Sequence, residues 1–309
     1  MALTVCGAQR MMRIAVIGGA SGQVGRSLAA LNEADLRVDL YRRPDVDLTR
    51  PSTLEAFVRS AAPDIVINCG AYTEVDLAES ESAAARAVNT EGPAFLATTC
   101  AAAGIPLIHL STDYVFNGAK LTPYTEGDAT SPRNVYGRTK LDGEITISAS
   151  GVRHVIIRTS WVHAPEGKNF VRTMLRLANT QDRIGVVADQ VGRPTYAPHL
   201  ALALRQVAIR LLSDAQAPLG VFHLTGSGLP CSWRDFADAV FSASRAMGGP
   251  FASTDPLPAS AYSTAAPRPA NSMMDCGKIA NDYGIALPNW ELGVEECVRA
   301  ISTLGWPRA

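Results

Sequence analysis

The chain has 309 residues, 47% hydrophobic and 18% charged, and its 28 basic and 29 acidic residues give a formal net charge of −1. That composition excludes a disordered or collagen-like chain, and the balanced charge excludes a polyanion binder driven by bulk positive charge, so no nucleic-acid partner is expected. The six cysteines (Cys6, Cys69, Cys100, Cys231, Cys276 and Cys297) show no Cys-x-x-Cys spacing and no paired histidines, which argues against a disulfide frame or a metal site and for buried thiols in a reducing compartment. No apolar run approaches the ~18 residues needed to cross a bilayer, so no membrane partner is expected. Residues 1–12 lack a basic stretch followed by an apolar one; they read as a dispensable leader, and the expected address is cytoplasmic.

Short apolar runs at Arg13–Ile17, Leu36–Leu40, Asp64–Asn68, Pro106–Ser111 and His154–Arg158 read as buried parallel strands. Helical segments are expected between them at Val24–Leu31, Pro51–Ala61, Ser80–Ala103 and Asn134–Ser148. Strands alternating with helices require right-handed crossovers, hence an α/β fold with a Rossmann-type doubly wound parallel sheet. That domain is expected over residues 13–165, with Val221–Leu224 returning to its sheet. Beyond it Pro, Gly and short polar links become frequent, and residues 166–309 read mostly as a smaller, discontinuous C-terminal lobe that binds substrate.

Directly after the first strand, Gly19, Gly22 and Gly25 form Gly-x-x-Gly-x-x-Gly. Strand, glycine turn and helix start follow in the order that lets backbone N–H groups face a dinucleotide pyrophosphate. The second strand leads into Arg42-Arg43, where NAD-preferring enzymes place an acid for the ribose hydroxyls. A guanidinium there suits a 2′-phosphate, so NADPH is the expected cofactor, while Asp39 keeps NADH open.

Tyr136 and Lys140 stand at i and i+4 and share one helix face. With eight tyrosines and four lysines in the chain, chance supplies only about a tenth of such a pair. The chemistry needs the spacing, because an ammonium beside a tyrosine favours tyrosinate and brings the phenol nearer to neutral pH. A hydroxyl for the same carbonyl is expected at the end of the preceding strand, from Ser111 or Thr112, which alternation sends to opposite faces. Asp113 follows, either as a ligand for a sugar hydroxyl or as a turn acid.

Together with Asp47–Pro51, Ser111–Gly118, Ser131–Glu144, Arg158–Val162, Asn169–Ala178, Asp189–Thr195 and Arg268–Ser272, these pieces resemble the extended short-chain dehydrogenase/reductase superfamily and, within it, the dTDP-4-dehydrorhamnose reductases. The resemblance implies hydride transfer to the 4-keto carbon of dTDP-4-dehydro-L-rhamnose, giving dTDP-L-rhamnose. It selects Thr112 over Ser111 for the carbonyl, makes Tyr136 the proton donor, and gives Lys140 the tuning of Tyr136 and the nicotinamide ribose. It places Gly22, Gln23 and Val24 at the pyrophosphate, Asp47 and Leu48 on the adenine side, and Ala71, Tyr72 and Thr73 along the middle of the cofactor. Trp161 and Asn169 fall on the substrate side, and Arg268 is the candidate for the diphosphate.

Some members of that family are homodimers with Mg2+ held by glutamates between subunits; Glu295 and Glu296 are candidates here, with exposed helix acids as the alternative. Two departures are His163, where the family often has an aromatic residue, and the missing acid near Arg42. The five histidines show no catalytic or metal pattern. Two other functions share these motifs: a reductase or epimerase of another nucleotide sugar, and a non-catalytic subunit resembling the regulatory beta subunit of methionine adenosyltransferase.

Overall fold

A computed structural model describes residues 11–19 and 22–308. Most of the expected leader, Cys6, and Ala20 and Ser21 of the glycine motif lie outside the described residues. The first half alternates strand and helix: β1 (Met12–Ile17), α1 (Gln23–Ala29), β2 (Leu36–Tyr41), α2 (Pro51–Ala61), β3 (Ile65–Asn68), α3 (Ser82–Arg86), α4 (Gly92–Ala103), β4 (Leu107–Thr112), α5 (Val135–Ala149) and β5 (His154–Thr159). The second half carries β6 (Val162–His163), α6 (Phe170–Leu177), β7 (Arg183–Val187), β8 (Val191–Gly192), β9 (Thr195–Tyr196), α7 (Ala197–Ser213) and β10 (Gly220–His223). It ends with β11 (Cys231–Ser232), α8 (Trp233–Ala246), β12 (Ser253–Leu257), α9 (Gly277–Tyr283) and α10 (Trp290–Leu304).

Six strands form one sheet in the order β10-β5-β4-β3-β1-β2, every pair parallel. The fold class read from the sequence is the one observed. Both faces of the sheet are covered, which is why its strands read as unbroken apolar runs. Ile14, Val16, Ile65, Ile67, Ile108 and Val155 pack with Leu28 of α1 and Leu200 and Leu204 of α7. Their alternating neighbours Ala15, Ile17, Val66, Leu107 and Ile156 pack with Leu54 and Phe57 of α2 and Leu96 of α4. The chain order reverses between β1 and β3, and the crevice beyond the carboxyl ends of the strands at such a reversal is where open α/β sheets bind ligands.

A separate apolar cluster joins α6, α8 and α10 through Val171, Leu175, Phe236, Val240, Val298 and Ile301. Three short strand pairs flank it: β6 with β9, β7 with β12, and the antiparallel pair β8 with β11. The segment Ser80–Ala103, expected to be one helix, is α3 and α4 joined by a π-helical turn at Ala87–Glu91. The wider turn brings Asn89 and Thr90 against α5, so close that a Cβ on Gly143 would lie 2.2 Å from the Asn89 carbonyl oxygen. Among the described residues no helix is long and apolar enough to cross a membrane, and Cys69, Cys100, Cys231, Cys276 and Cys297 are all free thiols.

Candidate active site

The glycine turn between β1 and α1 depends on contacts that only glycine permits. A Cβ on Gly25 would sit 2.0 Å from the Gly19 Cα, and one on Gly18, at φ 73°, would sit 2.3 Å from the Gly70 Cα. The turn therefore lies directly on the segment that leaves β3. Beside it opens a cleft of about 480 Å³, whose wall includes Gly22, Gln23, Val24, Ala71 and Thr73 on one side and Thr112, Asp113, Tyr136, Lys140 and Trp161 on the other. Tyr114 and Trp233 are shared with a second cavity of about 1020 Å³ that reaches Arg133 and Arg268.

Helix α5 presents Tyr136 and Lys140 to the carboxyl end of β4. Its first turn is capped by Asn134, whose side-chain oxygen accepts from the Gly137 N–H at 2.8 Å. Ser111 also lines the cleft, and its Oγ donates to Glu144 on α5. Thr112 Oγ1 donates to Asp113 Oδ1 at 3.0 Å and accepts from the Tyr114 N–H at 3.2 Å. The Ser111 hydroxyl is thus engaged by Glu144, whereas the Thr112 hydroxyl stands beside Tyr136. Burial pushes the Tyr136 phenol up to about 12, against a hydrogen bond with Thr112 that lowers it. Here the structure corrects the sequence reading, in which the lysine brings the tyrosine down. Lys140 Nζ instead donates to the Leu110 carbonyl at 2.6 Å and lies 3.1 Å from His109 Nε2. Burial also brings Lys140 down to about 8, against the influence of Glu144 and Cys69.

Asp113 is buried, and both its oxygens are already engaged, one by Thr112 and the other by the Ser272 hydroxyl at 2.5 Å. Burial pushes its carboxyl up to about 6 despite those bonds. Trp161 adopts a left-handed backbone at φ 50° and stacks on Trp233 with ring centroids 3.7 Å apart. Gly192 lies beneath it, where a Cβ would come within 2.8 Å of the indole. A non-glycine residue held in that conformation is strained, and such strain concentrates at functional sites.

Other expected site residues sit elsewhere. Tyr72 contributes its backbone, gripped by Asn89 through N–H to Oδ1 at 2.8 Å and Nδ2 to carbonyl at 3.2 Å, while its hydroxyl donates outward to Glu81 at 2.7 Å. Asn169 caps α6 and donates to Gln23 Oε1 at 2.9 Å and to the Ala164 carbonyl at 2.8 Å, so its amide ties α6 to the first turn of α1. Asp47 is buried in the turn before α2; burial raises its carboxyl, but hydrogen bonds from Thr49 and the charges of Arg43 and Arg50 outweigh that and leave it lowered. Leu48 packs under Gly70 and Gly92. Arg42 and Arg43 are exposed after β2. Asp39 stands opposite Ala15, two residues short of the strand end, and pairs with Arg37 at 2.7 Å and Arg13 at 3.8 Å. Arg268 pairs with Asp76 at 2.7 Å on the wall of the second cavity.

Glu295 is exposed and Glu296 pairs with His199 at 2.7 Å; among the described residues no group of His, Cys, Asp or Glu could hold a metal ion, so Mg2+ has no support here. Sequence reasoning missed His109, Asn68, Asn89 and Ser272. His109 and Asn68 were visible by position, three residues before Thr112 and at the end of β3, but a buried polar contact leaves no periodic signal.

A glycine-turn dinucleotide cleft at the β1/β3 reversal, with Tyr136 and Lys140 one helical turn apart beside it, defines an oxidoreductase of the short-chain dehydrogenase/reductase type. The family described as RmlD substrate binding domain matches residues 12–303. A dTDP-4-dehydrorhamnose reductase of Sinorhizobium fredii is 47% identical over 94% of this chain and 98% of its own length, and one of Burkholderia thailandensis is 43% identical over 92% and 97%. Among solved structures, a dTDP-4-dehydrorhamnose reductase of Clostridium acetobutylicum superposes with a TM-score of 0.87 at 33% identity, covering 94% of this chain and 100% of its own. That of Bacillus anthracis, in complex with NADP, gives 0.86 at 32% over 93% and 98%. The chain belongs to the dTDP-4-dehydrorhamnose reductase family.

Proposed function

We propose that this protein reduces the 4-keto group of dTDP-4-dehydro-L-rhamnose to dTDP-L-rhamnose with NADPH. The observation that carries the reading is the convergence of Thr112, Tyr136 and Lys140 on a cleft that has the glycine turn on one side and a second, arginine-bearing cavity on the other. A dinucleotide suits the first because Gly22 and Gly25 at its wall carry no side chain; a nucleotide diphosphate-sugar suits the second, with Arg268 and Arg133 toward its phosphates. Bound NADPH supplies the hydride.

Tyr136, raised to about 12 by burial, keeps its proton at neutral pH and gives it to the alkoxide, which is more basic still. Thr112, its hydroxyl turned from Asp113 to the cleft, donates to the carbonyl oxygen. Lys140 holds the ribose, and Trp161 and Trp233 form the apolar wall against the sugar. The direct test is loss of NADPH absorbance with enzymatically prepared dTDP-4-dehydro-L-rhamnose, with dTDP-L-rhamnose identified as product. NADPH binding without oxidation would overturn this assignment.

The exposed Arg42 and Arg43, with Asp39 tied to Arg37 and Arg13, favour a 2′-phosphate over a bare ribose. Replacing both arginines by alanine is expected to raise KM for NADPH by about 10- to 100-fold, the loss of one or two charge-assisted hydrogen bonds, and to leave KM for NADH nearly unchanged. Equal catalytic efficiency with the two cofactors before mutation would count against the preference. At the other wall, Gly192→Ala is expected to displace the Trp161 indole. KM for the sugar nucleotide should rise by about tenfold or more while cofactor affinity holds, since small displacements of positioning groups are costly. Initial-rate kinetics with each substrate varied in turn separate the two effects.

A further inference from the structure

Lys140 does not stand alone beneath the cleft. It ends a row that starts at Gly70 and runs through the buried Asn68 and His109, and each group along it is a donor or an acceptor. Asn68 Oδ1 accepts from the Gly70 N–H at 3.0 Å, which fixes the amide so that Nδ2 faces His109 Nδ1 at 3.1 Å. Nδ2 only donates, so Nδ1 must accept. His109 is fully buried, and burial lowers its imidazolium well below the ordinary histidine range. A neutral ring that accepts at Nδ1 carries its proton on Nε2. That N–H points at Lys140 Nζ, 3.1 Å away.

An ammonium has no lone pair to receive it, so a charged Lys140 sets two donors against each other, whereas an amine accepts from His109 and still donates to the Leu110 carbonyl at 2.6 Å. We propose that His109, oriented by Asn68, is a positioning residue that stabilises the amine form of Lys140 and lowers the pH at which it takes up its proton.

The other groups facing Lys140 are Tyr136 and Glu144 on α5 and Cys69 just after β3; Glu144 is bonded to Arg158 of β5 at 2.6 Å. Glu144 and Cys69 favour the ammonium and burial opposes it, and the balance brings Lys140 to about 8. The contact with His109 acts in the same direction as burial. The relevance to turnover rests on the role given to Lys140 above, whereas its protonation can be read without any substrate.

The chain has four lysines (Lys120, Lys140, Lys168 and Lys278) and five histidines, so labelled side chains give few, separable NMR signals. In protein carrying 13C at lysine Cε, assigned with Lys140→Met, the Lys140 signal is expected to titrate at or below about 8. In His109→Gln an amide oxygen near the former Nε2 accepts from the ammonium, and the midpoint should rise by about one pH unit, a roughly tenfold change in the amine fraction. In Asn68→Asp the carboxylate accepts from Nδ1–H, the ring proton moves off Nε2, and the midpoint should rise as well. A wild-type midpoint in the ordinary lysine range overturns the proposal. So does an unmoved midpoint in His109→Gln; a rise in Asn68→Asp alone reports only its added charge. If His109→Gln does not fold, the ring 15N spectrum of the unmutated protein decides: the Nε2–H tautomer of His109 supports the proposal, and Nδ1–H defeats it.

Discussion

Tyr136→Phe is expected to lower kcat by about two to four powers of ten while leaving the dissociation constant for NADPH within about threefold of its original value. The substitution removes one oxygen. The ring keeps its edge-to-face contact with Tyr114, whose centroid lies 5.5 Å away at 79°, so the helix and the cleft wall are preserved. What disappears is the phenol that is hydrogen-bonded to Thr112 and holds a proton ready at neutral pH, because burial raises it to about 12. Water must then protonate the alkoxide, without orientation. Single-turnover oxidation of bound NADPH, followed beside a fluorescence titration of NADPH binding, separates loss of chemistry from loss of cofactor. Turnover within tenfold of the unmutated protein would remove Tyr136 from the reaction and place the proton source elsewhere in the cleft, where Tyr114 and Asp113 also carry titratable groups.

The parts of this site that were legible in the sequence are those that obey a period or a local rule. Ile65–Asn68 is short and wholly buried, and it reads as a central parallel strand because nothing polar interrupts it before Asn68. Pro51 opens its helix at the first position and Asn134 caps the next but two; the corresponding ranges agree to within a residue. Gly19 and Gly25 were recognisable because the contact between them tolerates no side chain, which forces one residue type at a fixed spacing. Tyr136 and Lys140 were found by their spacing of four, which puts both on one helix face.

What stayed hidden depends on partners far apart along the chain. The parallel pair β7–β12 joins Arg183–Val187 to Ser253–Leu257 across some seventy residues, and its second strand contains Pro256, which local rules assign to an edge or a loop. Asn169 matched a family motif, yet its amide serves α6 and Gln23. His109 was dismissed because single histidines carry no pattern; its meaning comes from Asn68 on the neighbouring strand and Lys140 on the helix above. The direction of the Tyr136 shift was misjudged because spacing shows that two side chains share a face, and it cannot show that the lysine turns toward a carbonyl of the sheet.

The same concealment covers the contact that holds α5 in place, and it yields the largest stability effect expected. Glu144 lies one turn beyond Lys140, buried against the sheet, and receives Arg158 Nη2 at 2.6 Å, Arg158 Nε at 3.0 and 3.2 Å, and the Ser111 hydroxyl. Side-chain exposure is 4% for the acid and 5% for the guanidinium. Taking two charges out of water costs several kcal/mol each, so the pair persists only because every arm of the guanidinium has somewhere to go: Glu144, the Phe116 ring at 5.1 Å, and His223 at 3.5 Å.

Glu144→Ala leaves Arg158 buried without a counter-ion and is expected to destabilise the fold by about 3–5 kcal/mol, read as a lower denaturant midpoint. The loss is one of pairing and not of volume, so Glu144→Ala combined with Arg158→Met should recover a large part of it, because removing both charges removes the desolvation cost with the attraction. A double variant as unstable as the single one would mean that the carboxylate acts mainly through Ser111 and the packing of α5. Recovery of stability without recovery of turnover would instead show that Glu144 holds the Tyr136–Lys140 face of the helix at the distance from β4 that the chemistry requires.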